Sequence, residues 1–402
     1  MVGDEHIAPA ADGLYYQPGY WNDFDEVVRY QRRLATDDPN LPWHRHLWQR
    51  NGCQPFRRAL VLNAGTGWVE RDLLRDGVVK AVFGIDWLPQ FVAEAQRAAD
   101  AEGFDTVYTQ VDTNTFDWSS VPNVDLVLNF AAGHHIAYLD RTFRACRELL
   151  LDGGTYVMWD YAGPHRNQYG SDMWAAMEQA NNSLPMHLRK TMAYPHLATM
   201  LATDPSEAVH SELLLEVTKR YFDFSHLRPV GGTVAYEVIT HNPAFFASGK
   251  PAQDTTHFVG ELLRLDEQVV LTDPSSSLFW YGIATPKAAI EERDLVRWTE
   301  EEARREAAAE GAGGQYYAAT GPAQRLYGRS PSQRLRRQVV QTVRDPRRVA
   351  HGAEVVAGSA ARKFRRVGPI LGFQVRQTIR DPRRILRAPG RLIGRVRSGL
   401  GM

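Results

Sequence analysis

The sequence predicts an α/β fold, a doubly wound and mostly parallel sheet with a ligand site at the carboxyl ends of its strands. Three observations lead there. Between residues 58 and 162 short apolar runs alternate with helix-like segments, and such alternation means parallel strands joined by crossover helices. The first run, Leu60 to Leu62, ends in the turn Gly65-Thr66-Gly67, ahead of a helical segment from Val69 to Leu74. Glycines there allow positive φ and let a ligand reach bare backbone, and the helix start beyond them offers unpaired N–H groups. The second run, Lys80 to Ile85, ends in Asp86, 21 residues after Gly65. That is the usual distance to an acid that holds ribose hydroxyls in a βαβ nucleotide site. A Gly-x-Gly alone is also what an ordinary tight turn looks like, and the acid at this spacing is what favours the nucleotide reading.

Taken in order, residues 14 to 57 are aromatic-rich (Tyr15, Tyr16, Tyr20, Trp21, Phe24, Trp43, Trp48), with a helix expected over Asp23 to Leu34. This segment either covers a ligand or packs on the sheet edge. After the glycine turn and Asp86, a helix is expected from Leu88 to Ala101 and a third strand from Thr106 to Val111, ending at Asp112. A fourth strand, Val124 to Phe130, runs into Ala131-Ala132-Gly133-His134-His135. A helix from Leu139 to Leu150 leads to a fifth strand, Thr155 to Trp159, which ends at Asp160. Beyond it, Met173 to Asn182 and Met186 to Met192 read as helices broken by Pro185 and Pro195. Arg220 to Pro229 reads as a strand, Thr233 to Phe246 and Thr256 to Val269 as helices, and Leu278 to Ala284 as the last strand. Residues 291 to 310 form a charged helix in which Glu300 with Arg304, and Glu301 with Arg305, are spaced to pair. A Gly/Ala-rich linker, Gly311 to Pro322, follows. The expected divisions are 1–57 (cap), 58–162 (core), 163–290 (helical insertion and last strands), 291–330 (charged helix and linker) and 331–402 (basic tail).

Gly65-Thr66-Gly67, Asp86, Asp112 and the Gly153-Gly154 turn resemble class I S-adenosylmethionine-dependent methyltransferases, over roughly residues 20 to 287. Gly67-Trp68-Val69-Glu70-Arg71, His134-His135-Ile136, Asp160-Tyr161-Ala162-Gly163-Pro164 and Asp204-Pro205-Ser206-Glu207-Ala208-Val209 resemble a bacterial subgroup associated with glycan and cell-surface polysaccharide biosynthesis. The resemblance implies a Rossmann-like sheet with an antiparallel edge pair and an insertion that sets acceptor specificity. It also implies S-adenosyl-L-methionine as cofactor. Two departures stand out. Asn63 occupies the end of the first strand, where many members have an acid, and Trp68 replaces a third glycine.

The resemblance assigns Asn63, Gly65, Thr66, Gly67, Asp86, Trp87, Asp112, Thr113 and Asn129 to the cofactor. Asp86 would hold the ribose and Asp112 would approach the adenine amino group. The bland alternative for either acid is a solvated loop or a helix cap. A sugar hydroxyl is a poor nucleophile at neutral pH, so a general base with a pKa near the working pH is expected, and histidine fits. His135 and His134 follow the fourth strand and are the candidates, with Asp160 to orient one of them; the alternative is that they pack or cap. Tyr161, His165, Arg166, Gln168, Glu207 and His210 are candidate acceptor contacts. The acids look scattered along the sequence, so no metal is expected.

The chain of 402 residues has no apolar run long enough to span a membrane, and its N-terminus lacks a signal pattern. With only Cys53 and Cys146, in no metal spacing, a cytoplasmic setting is expected. The zero net charge hides an asymmetry. Residues 331–402 carry 18 Lys and Arg against 3 Asp and Glu. The tail also repeats Gln341-Thr342-Val343-Arg344-Asp345-Pro346-Arg347-Arg348-Val349 as Gln377-Thr378-Ile379-Arg380-Asp381-Pro382-Arg383-Arg384-Ile385. Basic amphipathic helices suit an anionic membrane surface on its inner face. The acidic body or another protein is the next candidate partner, and nucleic acid is disfavoured because only Phe364 and Phe373 could stack on bases. Three functions stay open: a methyltransferase for a hydroxyl of a glycan or lipid-linked saccharide, one for a small metabolite at N, O or C, and a non-catalytic scaffold with a degenerate fold. The oligomeric state is not legible.

Overall fold

The computed structural model describes residues 19–311 except 198–199, 201–203, 205 and 248, with side chains described to residue 304. These residues lie in the first of the two units into which the chain divides, Met1–Arg329. Tyr15, Tyr16 and the whole of the basic tail lie outside the described residues.

The sheet has seven strands: β1 (Ala59–Val61), β2 (Ala81–Asp86), β3 (Asp105–Gln110), β4 (Val124–Phe130), β5 (Leu150–Tyr161), β6 (Phe222–Pro229) and β7 (Phe279–Pro286). Their order is β3-β2-β1-β4-β5-β7-β6. The first five are parallel, and β7 runs antiparallel to both β5 and β6. This is the expected α/β architecture with its antiparallel edge pair. The chain reverses direction between β1 and β4, and in an open parallel sheet that switch point is where a crevice for ligand opens. The central strands β1 and β4 are buried on both faces, as near-continuous apolar runs should be.

The helices are α1 (Asp25–Thr36), α2 (Trp43–Arg50), α3 (Trp68–Arg75), α4 (Pro89–Ala101), α5 (Leu139–Leu149), α6 (Ser171–Ser183), α7 (Leu214–Tyr221), α8 (Ala235–Ile239), α9 (Thr256–Thr272) and α10 (Glu292–Gly311). Two of them, α2 and α7, were not read from the sequence. Other expectations change. Met186–Met192 forms only a 3-10 turn, Met186–Leu188. The helix expected over Thr233–Phe246 stops at Ile239, because His241 takes φ 56° and Pro243 cannot continue it. Arg220 belongs to the last turn of α7 rather than to β6. Glu301 reaches Arg220 at 2.9 Å and, on its own helix, Arg297 at 3.9 Å. The side chain of its expected partner Arg305 lies outside the described residues, and Glu300 forms no ion pair with a described residue.

The N-terminal aromatics mostly pack. Trp21, Phe24 and Tyr30 are buried in one apolar cluster with Trp174, Met177, Val238, Phe245, Val259 and Leu262 of the insertion. One buried carboxylate ties these parts together. Asp266 on α9 accepts the N–H groups of Gly232, Val234 and Ala235 at the start of α8 and the Tyr30 hydroxyl of α1.

Candidate active site

The turn after β1 is built on left-handed backbone. Asn63, Gly65 and Gly67 have φ of 42°, 58° and 75°, and asparagine is one of the few side-chain residues that visits this region readily. The two glycines do different work. A Cβ at Gly67 would meet the Tyr108 hydroxyl at 2.7 Å and Ala95 at 3.0 Å, whereas a Cβ at Gly65 would meet nothing within 4 Å. Gly67, together with Gly84, makes room for the Tyr108 ring beneath the turn. Gly65 is the position that leaves the backbone open on the crevice side. Thr66 is buried, and its carbonyl accepts from Arg71.

Asp86 ends β2, where one carboxylate oxygen accepts Gly65 N–H and the other Leu88 N–H, both at 2.8 Å. Burial raises its pKa, and the backbone bonds and the nearby His135 ring work against that rise. Asp86 ends β2 and His135 follows β4, so both stand at the carboxyl ends of strands that run parallel to β1. Each oxygen of Asp86 keeps a further acceptor position. Trp87 next to it is 43% exposed, so a flat face is offered to a ligand there. Asp112 is half-buried, and one oxygen receives Asn114 N–H and its side-chain amide.

Asn63 and Thr113 are joined, the Thr113 hydroxyl donating to Asn63 Oδ1 at 2.8 Å while Asn63 Nδ2 donates to Ala132 O. The neutral residue at the end of β1 thus clips together the loops after β3 and β4. Asn129 is placed differently from its assignment. It is fully buried, and its amide is spent on Gly133 N–H and the Tyr156 hydroxyl, so it shapes the loop from beneath rather than facing a ligand.

That loop carries the histidines on a 3-10 turn, Gly133–His135. His134 Nδ1 lies 2.6 Å from Asp160 Oδ1. Asp160 is itself buried and also accepts the N–H groups of Ala132, Gly133 and Tyr161. Asp160 therefore orients His134, not His135. Burial by itself would lower the His134 pKa, but Asp160, Glu207 and Asp204 outweigh it and hold the ring up at about 9. His135 is more exposed, and its Nδ1 lies 3.0 Å from Ser206 Oγ. Both Nε2 atoms face Glu207 Oε2, at 3.9 Å from His134 and 3.8 Å from His135.

Glu207 and Ser206 come from the insertion, which is stitched onto the β4 loop. Val209 N–H donates to His134 O, and His210 Nδ1 lies 2.7 Å from Ala137 O. Arg166 N–H donates to Ala208 O and its guanidinium to Glu207 O. Arg166 and His210 are buried and bonded to backbone, so they hold the Glu207 segment rather than wait for an acceptor. Gln168 donates to the carbonyls of Arg166 and Pro195, and His165 pairs with Glu212 at 2.6 Å. Tyr161 presents its ring to His134 while its hydroxyl donates to Pro164 O. Among the described residues, Asn63, Ala131, Arg166 and Ala208 take positive φ in the loops that carry Asn63, the histidines and Glu207. Strained backbone of this kind collects at working sites.

Sequence reasoning missed the Ser206–Asp204 support of His135; its signal was the proximity of Asp204 and Ser206 to Glu207 in a quoted motif. It also missed the proximity of Glu207 to both histidines, which no spacing could reveal across about 70 residues of chain.

The sheet order, the antiparallel edge and the glycine turn held by Asp86 at the end of β2 make a Rossmann-like fold of the class I methyltransferase kind. Residues 60–158 match the family described as "Methyltransferase domain". This segment thus carries a methyltransferase domain, and S-adenosylmethionine is its cofactor. No curated protein matches the chain. Among solved structures it is similar to an S-adenosylmethionine-dependent methyltransferase from Clostridium acetobutylicum, at 16% identity and a TM-score of 0.28, covering 33% of this chain and 53% of that one. It is also similar to the YcgJ protein from Bacillus subtilis, at 14% identity and TM-score 0.37, covering 62% and 99%. The [4+2]-cyclase SpnF is similar at 15% identity and TM-score 0.35, covering 67% and 86%.

Gly65, Asp86, Trp87 and Asp112 fit the cofactor. The open backbone at Gly65 and the spare acceptor positions of Asp86 would take its polar groups, and Trp87 offers a face for the adenine. The group supplies an activated methyl on sulfur, and the protein's residues bind it, orient it and exclude water.

Proposed function

We propose that the protein transfers the methyl group of S-adenosylmethionine to a hydroxyl of a glycan or lipid-linked saccharide by in-line displacement. The observation that carries this reading is the meeting of His134, His135 and Glu207 beyond the carboxyl end of β4, on the same edge of the parallel sheet as Asp86 at the end of β2. The electrophile arrives activated, so what remains is to place the nucleophile and remove its proton. His135 and Glu207 bring proton acceptors to where that proton must leave. His135 is the more exposed of the two rings and, in the absence of other help, the general base. Asp160 positions His134 beside it.

A saccharide fits the surroundings. Tyr161 sets its ring beside His134, 6.1 Å between ring centres. Phenol rings offer flat apolar faces to a sugar and hydroxyls for hydrogen bonds. The basic residues 331–402 would bring the protein to an anionic membrane surface where lipid-linked acceptors lie.

The test is transfer of labelled methyl from S-adenosylmethionine to a panel of saccharides and saccharide lipids, with the product located by NMR. Methylation of a sugar oxygen that is lost in Glu207→Gln supports the reading. Methylation only of nitrogen, carbon or non-sugar hydroxyls would overturn it.

A further inference from the structure

The proton positions in the histidine cluster follow from its neighbours. Ser206 Oγ donates its single hydrogen to Asp204 Oδ1 at 2.6 Å. It can then only accept from His135, 3.0 Å away, which puts the His135 ring hydrogen on Nδ1 and a lone pair on Nε2. Asp160 fixes His134 in the same sense, since an ionised carboxylate can only accept from Nδ1. In the neutral form, the form that binds a metal ion, the rings aim two lone pairs towards Glu207 Oε2. The separations of 3.8 and 3.9 Å are too long for hydrogen bonds. Three electron-pair donors, from two separate segments, converge on one point.

We propose that His134, His135 and Glu207 form a binding site for a divalent first-row transition cation, which takes the acceptor hydroxyl as a further ligand. The three ligand atoms lie within 4.8 Å of one another. With the two histidine–glutamate separations at 3.8 and 3.9 Å, the in-plane point equidistant from all three atoms lies at most about 2.5 Å from each, a few tenths of an ångström beyond normal Zn–N and Zn–O bonds. A small shift of the partly exposed Glu207 closes that gap. Two imidazoles and one carboxylate suit Zn2+, Fe2+ or Mn2+ rather than the all-oxygen preference of Mg2+ and Ca2+. Each imidazole also has the outer partner a metal-bound histidine needs, Asp160 for His134 and the Ser206–Asp204 pair for His135.

The inference rests on the reading above for the reaction and refines how the hydroxyl loses its proton. The bound ion, rather than a free His135 ring, lowers the hydroxyl pKa, and the proton passes to solvent water. The oxygen then forms its bond to the methyl carbon as the carbon–sulfur bond breaks. The electron pair stays on sulfur, which leaves as neutral S-adenosylhomocysteine.

The test uses full-length protein stripped by chelator and titrated with Zn2+ by calorimetry and with Co2+ by visible absorption. One ion per chain is expected, with Co2+ bands of a nitrogen–oxygen site. Ser206→Ala should weaken binding by the ~10–100-fold typical of a lost outer partner, and Glu207→Gln and His135→Asn by more. Circular dichroism of each variant establishes that it is folded. A stripped wild type that binds neither ion, or variants that bind as tightly as wild type, would overturn the proposal. Sugar methylation at the full rate under chelator would overturn the ion's catalytic role while leaving the proposed reaction standing. A bound ion with no sugar methylation would count against that reaction alone.

Discussion

At the scale of single residues, the crevice depends on close packing behind it. Gly133 is the clearest case. A Cβ there would fall 2.7 Å from Leu214 Cδ1, 2.8 Å from Asn129 Nδ2 and 2.9 Å from Asp160 Oδ2. Gly133→Ala should therefore cost about 1–3 kcal/mol in urea unfolding, as overpacking does, and should also displace His134. Wild-type stability in that variant would remove Gly133 from the account. Glu70 is a second case. It is fully buried beside Tyr108, and neither carboxylate oxygen makes a hydrogen bond of ordinary geometry. Burial raises its pKa from 4.5 to about 7. The sign follows from proton counting. Between those values the folded state holds a proton that the unfolded chain has released, so the Glu70 contribution is intact at acid pH and is lost as pH rises through about 7. The difference in unfolding free energy between Glu70→Gln and wild type should grow in favour of the variant from pH 5 to pH 8. A difference that stays flat with pH would show that Glu70 is ionised throughout.

At the scale of elements, what was legible is what local pattern controls. β4 was read to the residue because its apolar run is buried on both faces, and the β1–α3 turn was read because only certain residues tolerate its backbone. α2 and α7 were missed, and the helix after Gly232 was drawn too long. Tertiary partners decide these pieces: α8 starts where Asp266, on another helix, caps its N–H groups. Asn129, Arg166 and His210 looked functional by position, yet their hydrogen bonds go to the framework, which side-chain identity alone could not reveal. The Asp266 junction gives an element-scale prediction. Asp266→Ala leaves three backbone N–H groups and the Tyr30 hydroxyl without their acceptor. Each buried unsatisfied group costs about 1–3 kcal/mol. The variant should unfold at much lower urea and should lose protection from proteolysis first in α1 and α8. A loss below about 1 kcal/mol would mean the junction is not a tie.

At the scale of the whole molecule, the proposed division of labour sets S-adenosylmethionine against β1 to β3 with their turns and the acceptor against the β4 and β5 loops and the insertion. The basic segment 331–402 adds a proposed third part. Deleting it should abolish co-sedimentation with phosphatidylglycerol vesicles and leave S-adenosylmethionine affinity unchanged. Equal sedimentation of both forms would remove the membrane from the account. The central claim is that the cofactor lies at the Gly65–Asp86 turn, and calorimetric titration with S-adenosylmethionine tests it most directly. The account predicts micromolar binding by wild type, weakened at least ~10-fold by Asp86→Ala, since each 1.4 kcal/mol of lost hydrogen bonding is a factor of ten. No binding by wild type, or equal binding by Asp86→Ala, would contradict it.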